Sequence, residues 1–136
     1  GILIEEAFTI TGDEGGGVVE QVDGVIRLDG PCLVEIKWLS GNVGTNDAAQ
    51  HLVRVYSRPN SARGLLISAN SFSPGVEDDH RNALVSGRTV ALCELWEVVQ
   101  VLKGRGDRAA YLRARLGRAV PHREPPYFPP MQTGTS

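Results

Sequence analysis

The chain has 136 residues, a formal net charge of −2, 41% hydrophobic residues and 22% charged residues. That is enough chain for one domain with a real core, and the composition is that of an ordinary soluble globular protein. A net charge of −2 does not by itself announce a nucleic-acid binder. No run approaches the ~20 apolar residues of a membrane span, so no membrane partner is expected.

Ile2 to Ile10 (ILIEEAFTI) reads as a strand that Thr11 continues and Gly12 stops, although a helix through Glu5, Glu6 and Ala7 also fits. GDEGGG at 12–17 is a hairpin loop. No Gly-Lys-Ser/Thr follows it, which excludes a phosphate-binding P-loop. A second strand runs from about Val18 to Leu28 and a third from Cys32 to Leu39. Between them, Asp29-Gly30 favours a type I′ turn, because both central residues need a positive φ. The third strand alternates. Cys32, Val34, Ile36 and Trp38 share one face, and Leu33, Glu35 and Lys37 share the other.

A turn centred on residues 29 and 30 places Asp23 opposite residue 35 or 36. On a shared face, Asp23 and Glu35 stand within about 5–6 Å, and Lys37 follows roughly 7 Å along the strand. Two carboxylates and an ammonium thus converge inside an apolar ribbon. Burying them is costly unless they pair or hold a metal, and hard oxygen ligands suit Mg²⁺ or Mn²⁺. By alternation Gln21 shares their face, whereas Glu20 reaches it only through a bulge. A cross-strand ion pair on a solvated sheet face is the plainer alternative.

After the loop SGNVGTN, a helix spans about Asp47 to Ser57, capped by Thr45 or Asn46, with an apolar stripe of Ala48, Leu52, Val53, Val55 and Tyr56. Arg54, Arg58 and Arg63 on or after it are candidate phosphate contacts. Gly64 to Ala69 is a buried strand. A helix opens at Ser73-Pro74 and ends near Gly87, Thr89 to Cys93 is a strand, and helices cover Glu94–Lys103 and about Asp107–Leu116. His51, Trp38, Tyr56, Phe72 and Trp96 read as structural. Cys32 and Cys93 read as reduced core residues, which fits a cytoplasmic protein. From Lys103 to Arg123 seven basic residues stand against one acidic one, either a solvated face or a phosphate-facing edge. Five prolines among residues 121–136 mark an extended tail.

Asp, a spacer, then Glu-x-Lys resembles the PD-(D/E)xK nuclease signature. The ordered segments VEQVDGVIRLDG, LVEIKWL, QHLVRVYSR, ARGLLISANSFS and VALCELWEVVQVL resemble the Mrr-like restriction endonuclease family over roughly Ile2 to Leu116. Val22 replaces the family's proline. Family members also carry a helix ahead of the first strand, often with an active-site glutamate, and none is read here; Glu5 and Glu6 are weak substitutes.

The resemblance implies an α/β fold of the restriction-endonuclease type, with a mixed sheet, an antiparallel three-strand start, then helix–strand units, flanked by helices. It implies a nuclease domain over 1–118 followed by the tail 119–136. The implied activity is Mg²⁺- or Mn²⁺-dependent hydrolysis of DNA in restriction or host defence. Asp23 and Glu35, with the Ile36 carbonyl, are then the metal ligands, Lys37 the catalytic lysine, and Gln50 a further active-site residue. Cutting a duplex favours a homodimer, since one site cuts one strand. A junction-resolving or repair nuclease fits the same pattern. The alternative from another class is an inactive module of this fold that binds nucleic acid or a protein partner.

Overall fold

A computed structural model describes residues 2–12, 19–58, 62–85, 89–104 and 107–118. The glycine-rich loop and the proline-rich tail expected from the sequence lie outside them. The elements run β1 (Leu3–Gly12), β2 (Val19–Arg27), β3 (Pro31–Lys37), α1 (Thr45–Tyr56), β4 (Arg63–Ser68), α2 (Pro74–Val85), β5 (Val90–Glu94), α3 (Leu95–Lys103) and α4 (Arg108–Arg118). The strands form one sheet in the order β1-β2-β3-β4-β5. β1, β2 and β3 are antiparallel, and β3, β4 and β5 are parallel. The fold is therefore α/β: a five-stranded mixed sheet flanked by helices.

The β2–β3 hairpin turns where Asp29 and Gly30 both take positive φ, 57° and 121°, but Arg27 rather than Leu28 pairs with Pro31, so the loop is three residues, Leu28 to Gly30, and not the two-residue type I′ turn expected. The register pairs Arg27 with Pro31 and Asp23 with Glu35. Of the two positions open to Asp23 in the sequence, the structure takes residue 35. β1 is the strand the pattern favours. It carries bulges between Ile4 and Glu6 and between Glu6 and Thr9 and forms an exposed edge, with Ile4, Phe8 and Ile10 all in contact with solvent.

Alternation along the central strand divides the core in two. On one face, Leu33 packs with Val25, Val55 and Val90, while Leu66 and Leu92 pack with Val43, Ala48, Phe72 and Val76. That face carries α1 and α2. On the other, Cys32, Val34, Leu65, Ile67, Ala91 and Cys93 meet Ala109 and Leu116, with Ile36 at the margin. That face carries α3 and α4. α1 lies close to the sheet because Gly64 has no side chain. A Cβ there would stand 2.7 Å from both His51 Cε1 and Val55 Cγ2.

Several expectations need correction. α1 starts at Thr45 behind an extended Gly44, without a side-chain cap, so neither Thr45 nor Asn46 caps it. Trp38, Tyr56 and Trp96 are not core residues. They are 42%, 39% and 47% exposed, because each lies at or beside the end of an element, past the covering layer. Phe72 is buried as expected. Among its described members the basic run from Lys103 is not one solvated edge; Arg105 and Arg123 lie outside the described residues. Arg113 donates to both Asp29 oxygens, from Nε at 2.7 Å and from Nη2 at 3.2 Å. Arg115 is fully buried, donates to the Leu92 carbonyl at 2.7 Å and stands 3.6 Å from Glu97. Tyr111 Oη donates to the same carboxylate at 3.2 Å. This buried group ties α4 to α3 and β5, and it pushes the Tyr111 hydroxyl well above its usual range, chiefly through burial.

Two stability outcomes follow. Gly64→Ala should cost about 1–3 kcal/mol through overpacking against α1, read from the urea midpoint. Arg115→Ala should cost about 3–5 kcal/mol, because Glu97 would be left as an uncompensated buried charge.

Candidate active site

The polar positions gather on the α1 side of the sheet, toward the C-terminal end of β3. That is the end of the parallel strands where α/β proteins hold ligands. Lys37, Ser68 and Glu94 stand in register there across β3, β4 and β5. Gln21 pairs with Lys37 and Asp23 with Glu35 across the hairpin, so the period-2 alternation of two strands sets four polar side chains in a square.

Glu35 is fully buried and Lys37 is 6% exposed. Lys37 Nζ lies 3.7 Å from Glu35 Oε2 and 3.8 Å from Asp47 Oδ1, and it donates to Gln21 Oε1. Gln21 Nε2 in turn donates to Asp23 Oδ1 at 3.3 Å. Arg54 donates to Glu35 Oε1 from α1. The other oxygen of Glu35 is buried with no hydrogen-bond partner. Taking an ion out of water costs several kcal/mol even after relaxation, and here two cations from different elements offset it. They do not offset it fully. Burial holds the Glu35 carboxyl above its ordinary pKa of 4.5, against the downward pull of Arg54 and Lys37 and with a further upward push from Asp23.

Helical spacing explains the opposite wall. Asp47 and Arg54 lie seven residues apart on one flank of α1, and Arg58 follows just past its end. They meet Lys37, Glu35 and, at 2.6 Å, Glu6 of β1. A shallow, open concavity lies where β1, β2 and β3 meet Arg58, lined by Glu6, Thr9, Asp23, Gly24, Leu33 and Arg58 among others; Asp23 is the member of the square that lines it.

The structure thus brings Asp23, Glu35, Lys37 and Gln21 together. Ile36 follows Glu35 on β3 between Val22 and Ile67. Gln50 is exposed on α1, one turn beyond Asp47. Glu20 is exposed, and Glu5 pairs with Arg27 at 2.6 Å, away from the square. Glu6 shares the concavity with Asp23. His51 is buried, with Nε2 3.2 Å from the Leu33 carbonyl, so it braces α1 against β3. Two residues gain a place that the sequence did not single out. Asp47 was read only as the helix start and Arg54 only as a phosphate contact. The 47–54 spacing was the available signal, but it does not say which strand the flank meets.

Among the described residues no cluster of three or more His, Cys, Asp and Glu side chains is placed to hold a metal ion. The donors present are the two carboxylates of Asp23 and Glu35 and a backbone carbonyl. An all-oxygen set with one buried oxygen lacking a hydrogen bond fits a hard divalent cation that keeps several waters.

Glu35 sets a pH dependence. A carboxyl whose folded pKa is raised binds its proton more tightly in the folded state. Its favourable contribution is full below the unfolded value and lost as pH rises through the folded one. Relative to Glu35→Gln, the wild type should therefore lose stability as pH rises from the ordinary glutamate value of 4.5. Urea unfolding of both proteins across that range checks the sign.

Among the described residues no helix is long and apolar enough to cross a membrane. Comparison with known proteins finds no match to the chain among family models, curated proteins or solved structures.

Proposed function

We propose that the chain is a metal-dependent nuclease domain of restriction-endonuclease type that hydrolyses phosphodiester bonds in DNA, in a restriction or defence role. The observation that carries this is the environment of Glu35: a fully buried carboxylate with one oxygen lacking a hydrogen bond, paired across the hairpin with Asp23 and 3.7 Å from the ammonium of nearly buried Lys37. Well-packed apolar residues in place of buried Glu35 and Lys37 would often be neutral or stabilising, and these two charges stand beside half-buried Asp23, which supports a chemical role for the three together.

Asp23 and Glu35, with the Ile36 carbonyl, would hold a Mg²⁺ or Mn²⁺ ion. Such an ion polarises the phosphoryl oxygens and lowers the pKa of a bound water. Lys37 is held by Gln21, Glu35 and Asp47, with its ammonium aimed between β2 and α1. It stabilises negative charge developing on the phosphoryl group, or orients the attacking water. Gln21 orients both Asp23 and Lys37, because its amide donates to one and accepts from the other. Gln50, exposed on α1, is a peripheral contact to substrate. One such site cuts one strand, so duplex cleavage calls for two copies of the chain.

A second reading has one observation in its favour. Arg54 pairs with Glu35 as it would in a purely structural ion pair, which suits a non-cleaving module that binds nucleic acid or a protein.

The test is cleavage of methylated and unmethylated plasmid, branched DNA, single strands and RNA, with Mg²⁺, Mn²⁺ or EDTA. The expected result is metal-dependent cutting of DNA, reduced by roughly 100-fold or more in Asp23→Ala and Lys37→Ala, with circular dichroism unchanged. Binding of DNA without cutting would favour the second reading. A folded protein that neither cuts nor binds Mn²⁺ would overturn the nuclease reading.

A further inference from the structure

The two cations that face Glu35 are held in different ways. Lys37 stands on the same strand, its side chain 8% exposed, with Gln21, Glu35 and Asp47 around it. Arg54 reaches over from α1, its side chain 43% exposed, with a long flexible stem that can place the charge in water. Arg54 takes Oε1, while Oε2 has no hydrogen-bond partner. A carboxylate buried this deeply needs a counter-charge. One that also yields its oxygens to a metal needs a counter-charge able to leave.

We propose that Arg54 and a divalent cation are alternative partners of Glu35, and that displaced Arg54 takes a phosphate of the substrate. The proposal rests on Asp23 and Glu35 being metal ligands. The local charges support it. Asp23, Glu35 and Asp47 oppose Lys37 and Arg54, and the neighbouring Glu6 and Arg58 neutralise each other at 2.6 Å. The five groups around the square therefore carry one net negative charge, which attracts a cation. A bound dication turns this into one net positive charge, the complement of one phosphodiester. It also repels a guanidinium held on the same carboxylate. Arg54 then has reason to leave Glu35, and the site has reason to bind a phosphate.

The linkage is reciprocal. If Arg54 couples the two ligands, metal tightens DNA binding by freeing Arg54, and DNA tightens metal binding by holding it away.

The experiment measures Mn²⁺ affinity of the full chain without DNA, by electron paramagnetic resonance, for wild type, Arg54→Gln, Arg54→Lys and Asp23→Asn. Thermal unfolding of each variant is recorded alongside. Arg54→Gln should bind Mn²⁺ about 5–10-fold more tightly than wild type. Arg54→Lys, a cation without the planar fork, should move the same way by less. Separately, a short DNA duplex is titrated with Ca²⁺ and with EDTA. Ca²⁺ should tighten binding by the wild type, and Arg54→Gln should lose most of that gain.

Equal or weaker Mn²⁺ binding by both Arg54 variants would overturn the exchange. The metal site itself would still stand if wild-type binding is lost in Asp23→Asn. Failure of every protein to bind Mn²⁺ would overturn the metal-site reading and the exchange together.

Discussion

The carboxylate of Glu35, fully buried on the central strand, is the constraint around which this molecule is arranged. An ionised group there is tolerable only with opposite charge at hand. Lys37 supplies it from the same strand and Arg54 from across the helix layer. Arg54 reaches Glu35 because α1 packs closely on the sheet. Gly64 lets that helix approach, His51 ties it to the Leu33 carbonyl, and Val55 fills the space beneath. The site and the α1 side of the core are one construction.

The same chain treats its other buried charges differently. Arg115 and Glu97 lie within the second core, joined by Tyr111 and by the Leu92 carbonyl. They connect β5, α3 and α4, and the concavity beside them, lined by Val98, Val101 and Tyr111 among others, is apolar. Asp23, by contrast, lines a partly polar concavity together with Glu6 and Arg58. Burial alone does not distinguish a site from a clamp. What makes the hairpin pair the functional candidate is a carboxylate at a polar opening, Asp23, set beside the buried carboxylate of Glu35 on the neighbouring strand.

The topology reinforces that choice. The antiparallel start brings Asp23 and Gln21 beside β3, and the parallel continuation brings the ends of β4 and β5 to the same edge. A mixed sheet is thus the means by which residues from a hairpin and from a crossover helix meet. β1 adds little to the core. Its bulges and exposure leave it as an edge whose Glu6 and Arg58 contact closes one side of the concavity.

Much of this was legible in the sequence, for physical reasons. Period-2 alternation decides which side chains share a face, so the grouping of Asp23, Glu35, Lys37 and Gln21 followed from strand pattern and one Asp-Gly turn. The α/β class followed from strands alternating with helical stripes. The tertiary structure decided what local pattern cannot. The register of the turn, one residue either way, chose Glu35 as the partner of Asp23. The crossing of α1 turned Arg54 and Asp47 into members of the site, because a helix flank is visible in sequence but its neighbour is not. Packing of α4 buried Arg115 and paired Arg113 with Asp29, so a run that reads as one basic edge is divided between core and surface. Trp38, Tyr56 and Trp96 emerged into solvent because apolar character says only that a side chain gains by burial, and only the placement of the layers says whether there is anything to bury it against.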